Sequence, residues 1–193
     1  MLKSYDLTKL AKKVRHHISK HRFSHTYGVA YTAAALAMKY GFSINHAMTA
    51  GILHDCAKGM SGSDLIKWCE KNQIELSDVE RLNPELLHAK VGSDIAQKKY
   101  GINDDEILNA IKFHTTGRPN MTLLEKIIYI ADYIEPGRKE LPGIDEVRKM
   151  AFTDIDKAMI MILKSILDYL NKKGTIIDKA TQETYDYYTS QEI

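Results

Sequence analysis

Cysteine is scarce: Cys56 and Cys69 are the only two among 193 residues. They form neither a disulfide framework nor a CxxC pair, which argues against a stapled secreted scaffold and a thiolate metal site. No apolar run approaches the roughly 18 residues that a membrane span needs, so no membrane partner is expected. The N-terminal MLKSYDLTKLAKK has no apolar core ahead of a cleavage site, so the expected location is cytoplasmic. Charge of one sign is also lacking. A formal net charge of +2 is too small to imply a polyanionic partner such as nucleic acid. The one local excess, KKVRHHISKHR from Lys12 to Arg22, reads as a solvated helix face with some capacity to hold phosphates. HExxH, P-loop, GxSxG and GxGxxG patterns are absent, which leaves zincin, nucleotide-kinase, serine-hydrolase and dinucleotide-fold readings without support. No linker is visible, and residues 1–193 read as one domain.

What is present is a succession of helix signals. Ser43 or Asn45 opens a helix through Ala57 that stops at Gly59, and the helix before it runs from about Ser24 to Gly41. Asn83-Pro84 heads ELLHAKVGSDIAQKKY, which ends at Gly101, and Asn103 begins DDEILNAIKFH. Thr122 and Glu125 make a capping-box pattern for TLLEKIIYIADYI, closed by Pro136-Gly137. A long helix follows Asp154 and ends before Gly174, and DKATQETYDYYTSQEI adds a short one. Strand signals are confined to short runs such as GTIID, so the expected fold class is all-α.

The eight histidines fall into two groups. His25, His54, His88 and His114 lie at the borders of apolar helix faces, whereas His16, His17, His21 and His46 lie in basic or polar surroundings. One histidine on an apolar face is ordinarily a satisfied core residue, but four on separate helices with carboxylates nearby suggest ligands. His54 and Asp55 are adjacent in a helical run and point about 100° apart, able to grip one ion. Burying that carboxylate alone costs several kcal/mol, which a divalent cation removes. Asp132 in IIYIADYIEP presents the same problem, far from the cap at Thr122. Imidazole and carboxylate donors without thiolates fit Fe, Mn, Zn or Mg, with open positions leaning toward Fe(II) or Mn(II). His17, His21 and His25 form a competing i,i+4 triplet, but Arg22-Phe23-Ser24 reads as a seam between helices that would break it.

The order His25, His54-Asp55, Asp132 resembles the HD superfamily of metal-dependent phosphohydrolases, an all-helical bundle. The words RFSHTYGVAYTAAALA, AGILHDCAKGM, LLHAKVGSDIA and IKFHTTGRPNMTLLEKIIYIADYIEPGR are similar to the YqeK family, symmetrical diadenosine tetraphosphate hydrolases. That resemblance implies a metal, most commonly iron, on His25, His54, Asp55 and Asp132. It implies that His88 and His114 serve either as a second metal pair or as phosphate contacts, with substrate contact the preferred role. Lys58, Arg22, Thr115 and Arg138 match positions expected near the phosphates, and His25 borders the substrate as well. Departures lie at the C-terminus, where Asp178-Lys179 and Tyr185-Asp186 stand in place of the His-Pro and Arg-Asn expected from the family.

The implied reaction splits diadenosine tetraphosphate into two ADP with metal-activated water. Asp55 orients the attack, and Lys58, Arg22, Arg138, His88 and His114 contact the polyphosphate. The same machinery could instead act on a guanosine pyrophosphate alarmone or a deoxynucleotide, or the domain could sense a nucleotide without cutting it. The expected partner is a dinucleoside polyphosphate or an ADP-like nucleotide, and the resemblance allows a homodimer.

Overall fold

Helix caps written into the sequence account for most of the architecture. A computed structural model of the chain describes residues 3–138 and 141–191, which form eleven α-helices and one 3-10 turn. Helix α1 is Leu7–Arg15, α2 Lys20–Tyr40, α3 Ile44–Leu53, α4 Gly62–Lys71 and α5 Asp78–Leu82. After the 3-10 turn Pro84–Leu87 come α6 His88–Tyr100, α7 Asp105–Lys112 and α8 Leu123–Ile134. The chain closes with α9 Ile144–Ala151, α10 Ile155–Lys173 and α11 Lys179–Ser190. No strand occurs among the described residues, so GTIID is a connection.

Several boundaries fall where capping chemistry predicts them. Ser43 accepts from the His46 N–H, and Thr122 and Glu125 exchange side-chain and backbone hydrogen bonds in a full capping box. Helices α2, α6 and α10 end at left-handed Gly41, Gly101 and Gly174. The divergent C-terminal segment also forms a helix, because Asp178 caps α11 by accepting the Ala180 N–H at 2.8 Å.

Other boundaries move. The seam expected at Arg22-Phe23-Ser24 lies earlier, because Ser19 caps α2 by accepting the Arg22 N–H at 3.2 Å. His17 therefore sits between α1 and α2, and the triplet with His21 and His25 does not share one helix. Asn83 opens the 3-10 turn without a side-chain cap, so α6 starts only at His88. Asp104, not Asn103, caps α7, accepting from both Glu106 and Ile107 N–H groups. Helix α3 stops at Leu53 rather than Ala57, since the chain then tightens into i to i+3 turns, with the Cys56 N–H on Leu53 O and the Lys58 N–H on Asp55 O. His46 is buried, with a carboxylate for company. Asn45 exchanges two hydrogen bonds with the Tyr5 backbone, which draws the N-terminal segment over α3 and buries His46 against the Tyr5 ring, 3.4 Å from Asp104.

Helix α8 runs through the middle. Leu124, Ile127, Ile128 and Ile130 are fully buried, each worth about 1.5–3 kcal/mol of apolar burial. A helix that is apolar nearly all round must be covered on all sides, and α2, α3, α7, α9 and α10 pack against it. Helix α3 lies close against the alanine-rich α2, and Gly51 makes this possible: a Cβ there would sit 2.8 Å from the Ala30 Cα. Gly51→Ala is expected to force the pair apart and cost about 1–3 kcal/mol, read as a lower urea midpoint with an unchanged m-value.

Candidate metal centre

Helix ends meet at one place, and they bring four imidazoles and two carboxylates with them. His54 is the C-cap of α3, His88 opens α6, His114 follows the C-cap of α7, and Asp132 lies in the last turn of α8. His25 comes from the second turn of α2, and Asp55 from the turn after His54. Carboxyl-terminal helix ends carry partial negative charge, so the ends of α3, α7 and α8 favour a cation here.

Three of the rings are held in the same way. His54 Nδ1 lies 2.7 Å from the Gly51 carbonyl oxygen, His114 Nδ1 lies 2.7 Å from that of Ile111, and His88 Nδ1 lies against that of Glu85. A carbonyl only accepts, so each Nδ1 carries the proton and each Nε2 keeps a lone pair. His25 is turned by a carboxylate instead, with Nδ1 3.0 Å from Glu135 Oε1.

The free nitrogens point inward. His25 Nε2 is 3.0 Å from Asp132 Oδ1, and His54 Nε2 is 3.6 Å from Asp55 Oδ2. Neither nitrogen has an aligned hydrogen-bond partner among the described residues. His88 Nε2 and His114 Nε2 are 3.2 Å apart, and they lie 3.3 and 3.7 Å from Asp55 Oδ1. Lone pairs gathered this closely repel, and a buried acceptor without a donor is costly. A cation at the centre removes both penalties. Asp55 divides the donors, its Oδ2 facing His25 and His54 and its Oδ1 facing His88 and His114.

Charge follows the same logic. Burial alone would raise the Asp55 carboxyl, but His54, His114 and His88 around it hold it well below the usual range. Burial likewise opposes ionisation of Asp132, and His25, His54 and Arg138 reverse that and lower it. Burial lowers His54, and burial with His114 and Lys58 nearby drives His88 down to about 3. For His25 and His114 burial is outweighed by carboxylates, Asp132 and Glu135 for the first and Asp55 for the second, so both are raised. Cys56 stands aside, its Sγ donating to the Gly92 carbonyl oxygen at 3.4 Å and its pKa pushed up to about 12 by burial. The donors are thus nitrogen and oxygen without thiolate.

The remaining expected residues line a cleft of about 430 Å³ over these donors. Arg22 donates to Asp55 Oδ2 at 2.9 Å, and Arg138 donates to Asp132 through Oδ1 and the main-chain oxygen, both at 2.8 Å. Lys58 Nζ lies 3.3 Å from His88, and Thr115 Oγ1 lies 3.3 Å from both His88 and His114. His25, His54, Asp55 and Asp132 are therefore gathered with Arg22, Lys58, His88, His114, Thr115 and Arg138 at this centre, whereas His17 and His21 are not part of it. No residue of α11 lines the cleft, so the divergent segment stands away from it.

Glu135 was missed. It is 2% exposed, turns His25, and accepts the Gly137 N–H at 2.6 Å. Its signal was a glutamate closing an otherwise apolar helix ahead of Pro136-Gly137. Gly28 leaves the space it occupies, since a Cβ there would collide with Glu135 Oε2. Groups that orient a ligating histidine tune its metal affinity. Glu135→Ala is expected to weaken Mn²⁺ binding about 10–100-fold, measured by competition with a chelator, and Glu135→Gln to weaken it less.

Comparison with known proteins agrees with this geometry. A family model for the HD domain matches residues 22–137, and this domain implies a divalent metal. A Bacillus subtilis (strain 168) protein named symmetrical bis(5'-nucleosyl)-tetraphosphatase is 42% identical over 177 residues, covering 92% of this chain and 94% of its own length. A Staphylococcus aureus (strain NCTC 8325 / PS 47) protein of the same name is 38% identical over 187 residues, covering 95% and 94%. A crystal structure from Clostridium acetobutylicum, described as a predicted HD superfamily hydrolase involved in NAD metabolism, has a TM-score of 0.93 at 42% identity, covering 98% of this chain and 100% of its own. The chain therefore belongs to the HD-domain family, in its group of symmetrical bis(5'-nucleosyl)-tetraphosphatases.

Proposed function

We propose that this chain hydrolyses diadenosine tetraphosphate and related dinucleoside polyphosphates at the middle of the bridge, releasing two ADP with the help of a divalent cation. The observation that carries the reading is the set of inward-facing Nε2 atoms around Asp55 and Asp132, those of His25 and His54 buried without a hydrogen-bond partner among the described residues, beneath a cleft rimmed by Arg22, Lys58 and Arg138. His25, His54, Asp55 and Asp132 are the residues that would hold the cation. A mixed nitrogen and oxygen donor set without thiolate favours Fe(II) or Mn(II), and we assign iron. When bound, the cation lowers the pKa of a water and offsets charge on a phosphoryl oxygen.

The chain's own residues do the rest. Arg22, Lys58 and Arg138 bind the polyphosphate, and Thr115 offers its hydroxyl beside His88 and His114. ADP leaves with its negative charge already spread over phosphate, so these cations matter more than a strong acid. His88 and His114, with Asp55 Oδ1, supply a second set of three donors, and we read them as a second cation position rather than as substrate contacts alone. Cysteines buried as thiols, Cys56 and Cys69, fit a cytoplasmic setting.

Two measurements test this. Anaerobically purified protein incubated with diadenosine tetraphosphate is expected to give ADP as sole product; ATP with AMP, or no turnover with added Fe²⁺ or Mn²⁺, would refute the reading. Asp55→Ala is expected to lose both metal and turnover. Metal analysis is expected to find two ions per chain, falling toward one in His88→Ala; one ion in the wild type would return His88 and His114 to substrate contact.

A further inference from the structure

The basic run from Lys12 to Arg22 takes no part in the chemistry above, apart from Arg22 itself. From Leu7 to His54 the chain has seven lysines and arginines and no aspartate or glutamate, so a formal net charge of +2 conceals a basic first part and an acidic remainder. Five of the seven gather around one turn: Lys12, Lys13 and Arg15 end α1, and Lys20 and Arg22 begin α2. Lys12, Lys13, Arg15 and Lys20 are exposed and have no ion-pair partner among the described residues. Helix chemistry does not account for all of them. The end of α1 welcomes cations, but Lys20 and Arg22 stand in the first turn of α2, where the helix dipole disfavours them and no acidic residue of that turn offsets them.

This turn is fastened beside the cleft. A Cβ on Gly59 would stand 2.8 Å from the His17 carbonyl oxygen, so the glycine lets the α1–α2 turn rest on the turn that carries Lys58. Lys58 and Arg22 both line the cleft. Inside it, Arg22 and Arg138 are each paired with a carboxylate, at 2.9 and 2.8 Å, and their charge is largely offset at short range. The unpaired cations outside are not offset. We propose that the α1–α2 turn is an outer phosphate-binding surface, over which the polyphosphate is drawn into the cleft and whose hold grows with the number of phosphates on the nucleotide. The inference rests on the nucleotide reading above and adds a means of admission to it. Clustered charges of one sign beside a cleft raise association rates about 10–10³-fold, and they act over a Debye length of about 8 Å at physiological salt. ADP carries fewer charges than the tetraphosphate, so the same surface holds the product less firmly and lets it leave.

The triple variant Lys12→Gln/Lys13→Gln/Lys20→Gln tests this, since all three side chains are exposed and none lines the cleft. At about 25 mM salt its kcat/KM for diadenosine tetraphosphate is expected to fall about 3–10-fold, with kcat within about twofold. Raising the salt to about 200 mM should lower kcat/KM of the parent protein by a similar factor and leave the variant nearly unmoved. Titration calorimetry on Mn²⁺-loaded protein gives a readout without turnover: the loss of affinity in the variant should grow from AMP to ADP to ATP and be absent for adenosine. Lys67→Gln/Lys71→Gln/Lys172→Gln makes the same change in net charge on exposed residues of α4 and α10 and should have little effect. An unchanged salt response in the first variant, an equal loss in the second, or a loss confined to kcat overturns the surface. An oligonucleotide held by the parent protein and released by the first variant would assign the turn to nucleic acid and overturn it as well. The two readings fail separately: turnover to two ADP without the charge-graded losses removes the surface alone, and charge-graded binding without turnover removes the reaction alone.

Discussion

Proton placement on four imidazoles is the constraint on which the rest of the molecule depends. Once the Gly51, Glu85 and Ile111 carbonyls and the Glu135 carboxylate accept hydrogen bonds from Nδ1, each neutral imidazole presents an Nε2 lone pair to the centre. Placed around two ionised carboxylates, these atoms repel one another in the absence of a central positive charge. The arrangement is costly empty and favourable filled, which is the physical content of a metal site built by a fold.

Three of the four orienting contacts share a register: the ring bonds a carbonyl three residues earlier, 51 to 54, 85 to 88 and 111 to 114. Helix ends leave such carbonyls without intrahelical partners, so a histidine just past the end of α3, of the 3-10 turn or of α7 satisfies an orphan acceptor and fixes its own tautomer at once. This ties the chemistry to the helix boundaries. It also explains why α3 must stop at Leu53: had it continued through Ala57, the Gly51 carbonyl would have been taken by the backbone of Asp55. The close α2–α3 contact at Gly51 then carries His25 and His54 toward each other, their ring centroids 5.4 Å apart.

The sequence made the helices and their caps legible because capping is local. Thr122 with Glu125, Ser43 and the glycines that end α2, α6 and α10 need only their immediate neighbours. A carboxylate in an apolar run demands a partner, which singled out Asp55 and Asp132, while the grouping of His25 and His54 with them came from the resemblance to the HD superfamily. The details that depend on distant contacts were not legible. Ser19 won over Ser24 as the α2 cap through the path of the α1–α2 turn, and His46 became buried because the Tyr5 segment crosses α3. Glu135 escaped because its role depends on a 110-residue separation from His25 and on the space left by Gly28.

The place of Ile166 was illegible for a different reason: it belongs to the helical stripe of α10 that fills the core, and only the position of α10 beside Asp132 and Tyr133 brings it to the edge of the cleft. A symmetrical cut through a four-phosphate bridge needs a fixed span between a base and the donors, and cations alone supply no such span, because Arg22, Lys58 and Arg138 attract every phosphate of the chain alike.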